Sequence, residues 1–382
     1  MKTIRDIPHL EGVKALVRAD FNVPVRNGAA ADDFRIRKAL PTIEYLRSKG
    51  AHVLLISHIE TADGANGSLE PVAMHLKGME LPVIFIKDIK NAYETIEARI
   101  KGALVDDRTQ KVGRVFLLEN LRTLDGEKDN DKKFAEQLAS LADIYVNEAF
   151  SASHREHASI VGVPAFLPGY VGLQLGQEIT HLSKAFKPTH PFLFALGGAK
   201  FDTKLPLIEK FMEIADDVFI GGALANDALK AKGFVVGASK VSNGSFDISD
   251  IVSDPKIILP VDIVDQGHSV KPIENVGEDD RILDAGPRTL EILKGKIDTA
   301  KFILWNGPLG LYEDGYQGAT LELARMIAGA TARGAETIVG GGDTLAAIEE
   351  LGLLDRFTFV STGGGAMLDF LAKGTLPGIE AL

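Results

Sequence analysis

Arginines and histidines stand just past the ends of short apolar runs in the first half of this 382-residue chain. KALVR runs into Asp20 and Asn22 of RADFNVP, VLLIS into His58, and VFLLE into Asn120 and Arg122 of ENLR. IYVN continues through EAF towards His154, Arg155 and His157, and Arg35 and Arg37 open an amphipathic stretch. A guanidinium fork grips phosphate or carboxylate through paired hydrogen bonds, and histidine can add charge near neutral pH. Read singly, each of these is a solvated or ion-paired surface group. Read by their shared address, they form a pocket for a small di- or tri-anion.

In the second half the apolar runs lead into glycine instead: LGGAK (196–200), IGGAL (220–224), WNGPLG (305–310), VGGGDT (339–344) and STGGGA (361–366). Glycine lets backbone N–H groups approach phosphate closely, and a helix that starts just after it adds a partial positive charge. One such turn is an ordinary tight joint; several on one sheet edge point to a nucleotide-sized ligand. Asp343 stands where one carboxylate oxygen could hold Mg²⁺ beside phosphate, although Asp and Thr are also ordinary helix caps. Lys200 and Lys204, four apart at a helix start, read as paired phosphate contacts beside GGA and as plain surface lysines without it.

The elements that must position these groups alternate in both halves. Strands are expected at Lys14–Arg18, Val53–Ser57, Val83–Lys87, Val115–Glu119 and Ile144–Asn147, and then at Phe192–Leu196, Val218–Ile220, Ile257–Leu259, Phe302–Trp305, Thr337–Val339 and Thr358–Val360. Helices are expected at Arg35–Lys49, Ile89–Lys101 and Asp131–Ala142, and then at Lys204–Ala215, Leu224–Lys232, Thr320–Ala332, Leu345–Leu351 and Ala366–Ala372. Such alternation predicts an α/β protein with two doubly wound parallel-sheet, Rossmann-like domains, which bind ligands beyond the carboxyl ends of their strands. The stretch 172–187, ended by Pro188, reads as a helical hinge between residues 1–171 and 188–368.

Length alone favours two domains. The net charge of −11 argues against nucleic acid or an anionic membrane as partner, and no apolar run approaches a membrane span or a signal peptide. Residues 186–382 carry nearly all of that charge, while seven of the nine histidines lie before them, so a small anion is expected in the first half. The absence of cysteine removes thiolate nucleophiles and disulfides and suits a cytoplasmic location. No GxxxxGK[ST] loop, protein-kinase catalytic loop, HExxH or GxSxG motif occurs.

Taken together, RADFNVP, RIRKALPTI, LLENLR, YVNEAF with SHREH, GGAK, LPVDIV, DAGP, WNGPLG, GGGDT, STGGGA and the closing LPG resemble phosphoglycerate kinase nearly end to end. The resemblance implies reversible phosphoryl transfer between 1,3-bisphosphoglycerate and ADP, giving 3-phosphoglycerate and ATP, by a monomer that uses Mg²⁺ with its nucleotide. It implies acid-substrate contacts from Asp20, Asn22, Arg35, His58, Arg122, His154 and Arg155. Nucleotide contacts would come from Gly198, Ala199, Lys200, Lys204, Gly222, Leu283, Asn306, Pro308, Glu313, Gly340, Gly341, Gly342, Asp343 and Thr344. Arg35, Lys200, Gly341 and Gly364 would serve the transferring group, with Asp343 on the metal. A tail from about Asp369 to residue 382 would return to the first domain.

Departures from the family pattern fall mainly on the acid side. SHIETA stands where the family reads SHLGRP, so Glu60 replaces glycine, Thr61 a substrate-binding arginine and Ala62 proline. Ser151 replaces a glycine, Thr123 a phenylalanine and, on the nucleotide side, Ile282 a glycine. Two other readings therefore stand beside the enzyme: an impaired nucleotide-binding protein with a regulatory role, and a kinase for a related phosphorylated carboxylic acid.

Overall fold

In a computed structural model, residues 1–61, 64–106, 112–199, 201–242 and 247–382 are described. The chain forms two compact units, Met1–Thr180 with Thr375–Leu382, and His181–Gly374.

The first unit runs β1 (Lys14–Arg18), a small hairpin of β2 (Val25–Arg26) and β3 (Ala29–Ala30), α1 (Phe34–Ser48), β4 (His52–Ile56), α2 (Glu70–Gly78), β5 (Val83–Ile86), α3 (Ala92–Asp106), β6 (Val115–Leu118), α4 (Lys132–Ala139), β7 (Ile144–Asn147), β8 (Gly169–Val171) and the start of α5 (Leu173–Ser183). Six strands make one parallel sheet in the order β5-β6-β4-β1-β7-β8. Alternation along each strand feeds two cores. Ala15, Val17, Val53, Leu55, Val115, Leu117 and Val146 pack on one face. Leu16, Leu54, Ile56, Phe116, Leu118 and Tyr145 pack on the other. Each fully buried aliphatic side chain contributes roughly 1.5–3 kcal/mol, which is why these runs were legible as strands.

Past the end of β7, Glu148 turns inward and caps α5. Its carboxylate accepts from the backbone N–H groups of Gln174 at 3.1 Å and Leu175 at 3.4 Å. Full burial pushes its pKa up to about 8, opposed by its hydrogen bonds with Thr42, Gln174 and Leu175 and reinforced by the charge of Glu178. An acid raised from 4.5 to about 8 folds with its proton on. Its contribution to stability is therefore whole below about pH 4.5 and is lost as pH climbs through 8. Glu148→Gln, which is permanently neutral, is expected to flatten the fall in melting temperature between pH 6 and 9; an unchanged slope would show that another group titrates.

The second unit runs β9 (Phe192–Leu196), α6 (Phe201–Ile214), β10 (Asp217–Ile220), α7 (Gly222–Ala231), α8 (Ser249–Ser253), β11 (Ile257–Ile258), β12 (Asp262–Val264), β13 (Val270–Pro272), β14 (Asp284–Ala285), α9 (Pro287–Thr299), β15 (Phe302–Asn306), α10 (Gly318–Ala332), β16 (Glu336–Gly340), α11 (Gly342–Glu350), β17 (Phe359–Val360) and α12 (Gly364–Lys373). Its parallel sheet has the order β11-β10-β9-β15-β16-β17. Phe192 meets Phe302 edge-on at 5.1 Å and 90° in its core.

A second, antiparallel sheet, β13-β12-β14, was not expected from the sequence. Its buried carboxylates cap two helices. Asp262 accepts from Arg288 N at 2.9 Å and Thr289 N at 2.8 Å at the start of α9. Asp284 accepts from Ala319 N at 3.0 Å at the start of α10.

The tail joins the first unit from Thr375 rather than from Asp369. Phe370 and Leu371 are buried on α12, which runs to Lys373 and stops at Gly374 with φ +82°. Beyond it, α13 (Pro377–Glu380) docks on the first unit, with Gly378 N donating to Ser153 O at 2.8 Å and Asn147 Nδ2 to Gly378 O at 3.0 Å.

Candidate functional site

In the first sheet, β1 and β7 are neighbours whose onward connections leave in opposite directions, and the crevice of a doubly wound sheet opens at that point. Asp20 and Asn22 follow β1; Ser151, His154 and Arg155 follow β7. Arg35, on the first turn of α1, lies 3.3 Å from Asp20 Oδ2 through Nη1 and donates to Asn22 O at 3.0 Å. Ser151 Oγ also donates to Asp20. Asn22 Oδ1 accepts from Glu60 N at 2.9 Å. The loops after β1, β4 and β7 and the start of α1 are thus tied to one another.

His58, after β4, is buried and does not carry the charge the sequence suggested. Burial drives its pKa well below the ordinary value, and the charges of Arg18, Arg155, His157 and Arg35 push the same way. A neutral ring fits its contact, with Arg18 Nη2 2.9 Å from His58 Nδ1. His157 is likewise lowered to about 4, by burial first and then by Arg155 and Arg18. His58 and His157 therefore add no positive charge at neutral pH, whereas the guanidinium groups of Arg18 and Arg155 act on both rings as cations and that of Arg35 acts on His58. His154 Nε2 lies 3.4 Å from Arg155 Nε, and its Nδ1 is buried with no hydrogen-bond partner among the described residues.

Arg37 does not belong to this cluster: it is largely exposed and pairs with Asp33 one turn back at 2.7 Å. Glu119 is also structural, accepting from Leu69 N and Ser68 Oγ, both at 2.8 Å, ahead of α2. Sequence reading missed Arg18. Its fully buried guanidinium donates from Nε to Ser159 Oγ at 3.0 Å, and Ser159 donates in turn to the buried Glu127 at 2.5 Å. It sits inside RADFNVP, where its apolar strand neighbours hid it.

Arg122, in the turn after β6, has a buried side chain paired with Glu60 through Nη1. Asn120 Oδ1 accepts from its backbone N–H at 3.1 Å. Thr61 N and Oγ1 both face Ala65 O, at 2.9 and 3.1 Å, closing a turn. Ala62 lies outside the described residues.

In the second sheet the same topological argument picks out β9 and β15. The loops after them touch backbone to backbone. Gly197 N donates to Asn306 O at 2.8 Å and Gly198 N to Pro308 O at 2.9 Å. A Cβ on Gly197 would lie 2.1 Å from Pro308 O and 2.6 Å from Gly307 O, so glycine is required there. Beside this contact lies a cavity of about 270 Å³. Gly198, Ala199, Gly222, Leu283, Pro308, Glu313 and Asp343 line it, as does Ile282, the departure noted on the nucleotide side, together with Asn226, Lys240, Arg281 and Tyr312, which the sequence had not singled out. Lys204 Nζ donates to Ala199 O at 2.7 Å on its rim. Lys200 lies outside the described residues.

A second group meets at the starts of α11 and α12. Gly341 has φ +106°, and a Cβ on Gly364 would lie 3.5 Å from Gly341 Cα and 3.7 Å from Gly342 N. Two helix N-termini thus meet at one place, and because the first turn of a helix leaves N–H groups without intrahelical partners, the arrangement suits an anion. Thr344 and Asn306 serve this scaffold. Thr344 is buried, and its Oγ1 accepts from Gly307 N at 3.0 Å. Asn306 Nδ2 faces Met367 Sδ at 3.5 Å, and Gly340 packs within reach of both residues.

Among the described residues no group of three or more His, Cys, Asp or Glu side chains could hold a metal ion. A single carboxylate, Asp343, beside backbone donors fits Mg²⁺ carried on a polyphosphate, because that ion keeps several waters and phosphate oxygens.

Residues 4–374 match the family model described as phosphoglycerate kinase. The chain is 42% identical over 400 residues to the phosphoglycerate kinase of Dictyoglomus turgidum, covering all of this chain and 98% of that one. It is 41% identical over 402 residues to that of Thermosipho africanus, covering 100% and 97%. The crystal structure of phosphoglycerate kinase from Pyrococcus horikoshii superposes with a TM-score of 0.84 at 30% identity, over 100% of this chain and 98% of that one. A cationic crevice on one parallel sheet, a glycine-faced cavity on the other and an end-to-end match lead to one statement: this chain belongs to the phosphoglycerate kinase family.

Proposed function

We propose that this chain catalyses reversible phosphoryl transfer between the C1 acyl phosphate of 1,3-bisphosphoglycerate and ADP, giving 3-phosphoglycerate and ATP. It is a phosphotransferase with a carboxyl group as acceptor. The observation that carries the reading is the presence, in one chain of this family, of a strand-end cluster of guanidinium groups and a strand-end cavity faced with glycine.

Residues 1–171 with the tail are the acid-binding domain, residues 188–368 the nucleotide-binding domain, and 172–187 the hinge. Asp20, Asn22, Arg35, His58, Arg122, His154 and Arg155 form the acid site. His58, being neutral, orients rather than attracts. Gly198, Ala199, Gly222, Leu283, Pro308 and Glu313 hold the nucleoside, and Lys204 lies towards its phosphates with Lys200 nearby in sequence. Gly341, Gly342 and Gly364 donate backbone N–H groups to the transferring phosphoryl group, which Arg35 neutralises from the acid side. The attacking oxygen in the ATP-consuming direction is already a carboxylate, so no general base is needed. Catalysis rests on alignment and on compensating charge. Mg²⁺, carried in on the nucleotide, supplies further charge compensation, and Asp343 is the residue that would hold it. We place the enzyme in the cytoplasm as a monomer; among the described residues no helix is long and apolar enough to cross a membrane.

A coupled assay of 3-phosphoglycerate-dependent ATP consumption tests the reading, and a folded, nucleotide-binding preparation without turnover would overturn it. Asp343→Asn is expected to raise the Mg²⁺ concentration for half-maximal rate by on the order of tenfold or more, the scale of one charged contact. An unchanged Mg²⁺ dependence would remove Asp343 from that role.

A further inference from the structure

We propose that Glu60 is a displaceable internal carboxylate. It occupies Arg122 in the acid-free protein and must be expelled by the acid substrate, so it sets how tightly this chain binds that substrate. The inference rests on the acid site proposed above.

Arg122 is placed for an incoming anion but its valence is not filled. Its side chain is 2% exposed, and Nη1 is engaged by Glu60 Oε1. The other edge of the fork, Nε and Nη2, is buried with no hydrogen-bond partner among the described residues. A guanidinium carries five donors arranged to take a carboxylate or phosphate through two of them at once. Leaving buried charged donors unmade is costly, so this arrangement is poised to accept oxygen atoms that the described residues do not supply.

Glu60 behaves as a stand-in rather than a fixture. Its side chain remains 31% exposed while its partner is almost fully covered, so it reaches the pair from the solvent side. It rides on a loop whose two ends are clamped by one amide: Asn120 Nδ2 donates to Ile59 O at 2.8 Å and to Gly67 O at 2.7 Å. Between those clamps Glu60 and Asn66 bridge each other antiparallel, and Gly67 N donates to Ile59 O at 3.2 Å. Glu60 N donates to Asn22 Oδ1 at 2.9 Å, Asn66 Nδ2 donates to Arg122 O at 2.8 Å, and the turn closes at Thr61 and Ala65. A carboxylate that rotates about its own side-chain bonds into solvent gives up one ion pair to water. An arriving anion can take both edges of the fork.

The test is the Glu60→Gln variant, which keeps the volume and removes the charge, assayed with 3-phosphoglycerate and ATP and titrated calorimetrically with 3-phosphoglycerate. The acid KM and Kd are expected to fall about tenfold, the scale of one charge-assisted hydrogen bond. The nucleotide KM and kcat should stay within about twofold. Glu60→Asp, one methylene shorter, should move the acid KM the same way by a smaller factor and carries the test should the glutamine variant fold poorly. In an Arg122→Ala background Glu60→Gln should give no gain. Acid binding that is unchanged or weakened in both single variants would overturn the proposal, as would an equal gain without Arg122, which would mark simple repulsion. Wild-type turnover reports separately on the enzyme assignment: its absence sinks that assignment, whereas the variant-to-wild-type ratio of acid Kd judges Glu60 alone.

Discussion

Arg35→Ala should lower kcat by about 10³-fold while changing the nucleotide KM by no more than about twofold. Arg35 stands on the first turn of α1 with a side chain 29% exposed, anchored by Nη1 to Asp20 and to the carbonyl of Asn22. Those contacts fix the guanidinium and leave its remaining donors for a ligand. A phosphoryl group in transfer spreads charge over its equatorial oxygens, and a pre-placed cation stabilises that state more than either ground state. Losing one such donor costs about 10²–10³-fold, and a cation on the moving phosphoryl group about 10³–10⁵-fold. Steady-state kinetics with both substrates varied would check this. A drop smaller than tenfold, or one expressed wholly in the acid KM, would reduce Arg35 to a binding residue. The Arg35→Lys variant should keep part of the rate through its charge but not all of it, since an ammonium cannot reproduce the fork.

The second large effect is expected from Gly197→Ala. A methyl group there would lie 2.1 Å from Pro308 O and 2.6 Å from Gly307 O, contacts made by backbone that no rotamer change relieves. The loops after β9 and β15 would have to part, breaking the Gly197 N–Asn306 O and Gly198 N–Pro308 O bonds. Overpacking of this kind costs about 1–3 kcal/mol or more, and each kcal/mol lowers the melting temperature of a unit this size by about 2–4 °C. The cavity beside Gly198 and Pro308 would also lose shape. Nucleotide affinity, followed by calorimetry with ADP, should fall by on the order of a hundredfold, while 3-phosphoglycerate binding should stay near wild type. Equal losses of both ligands would point to global unfolding instead.

The central strands could be read from the sequence because each is buried on both faces and so carries an unbroken apolar run, as KALVR, VFLL and FILWN do. The family resemblance reached further still, through the spacing of glycine and arginine motifs. Short elements with half-exposed, mixed patterns stayed hidden: β13 is exposed or half-buried along its whole length, and β14 has two residues. Helix α9 escaped because Gly295 and its two flanking lysines, Lys294 and Lys296, blur its apolar stripe, although Gly286-Pro287 marks its start clearly. At the site, residue type foretold location better than state. His58 and Arg155 stand where their motifs placed them, but burial beside three arginines takes the charge off the imidazole, and no sequence rule weighs that environment. Arg37 looked equivalent to Arg35 two positions away, yet that spacing turns it to the far side of the helix, where Asp33 holds it. Thr344 belongs to the phosphate motif by sequence and to the packing of the β15 loop by geometry.

The docking of α13 on the first unit bears on how the chain is made. Asn147 and Ser153, which flank the loop bearing Ser151 and lead to His154 and Arg155, wait for Gly378 to complete their hydrogen bonds, and Gly169 on β8 packs against Leu382. On the ribosome, the loop after β7 must therefore remain unfinished until a segment 231 positions beyond Asn147 has been made. A chain cut before Pro377 would lack those bonds and be left with a frayed crevice in the first unit, while the cavity of the second unit would keep all its lining residues.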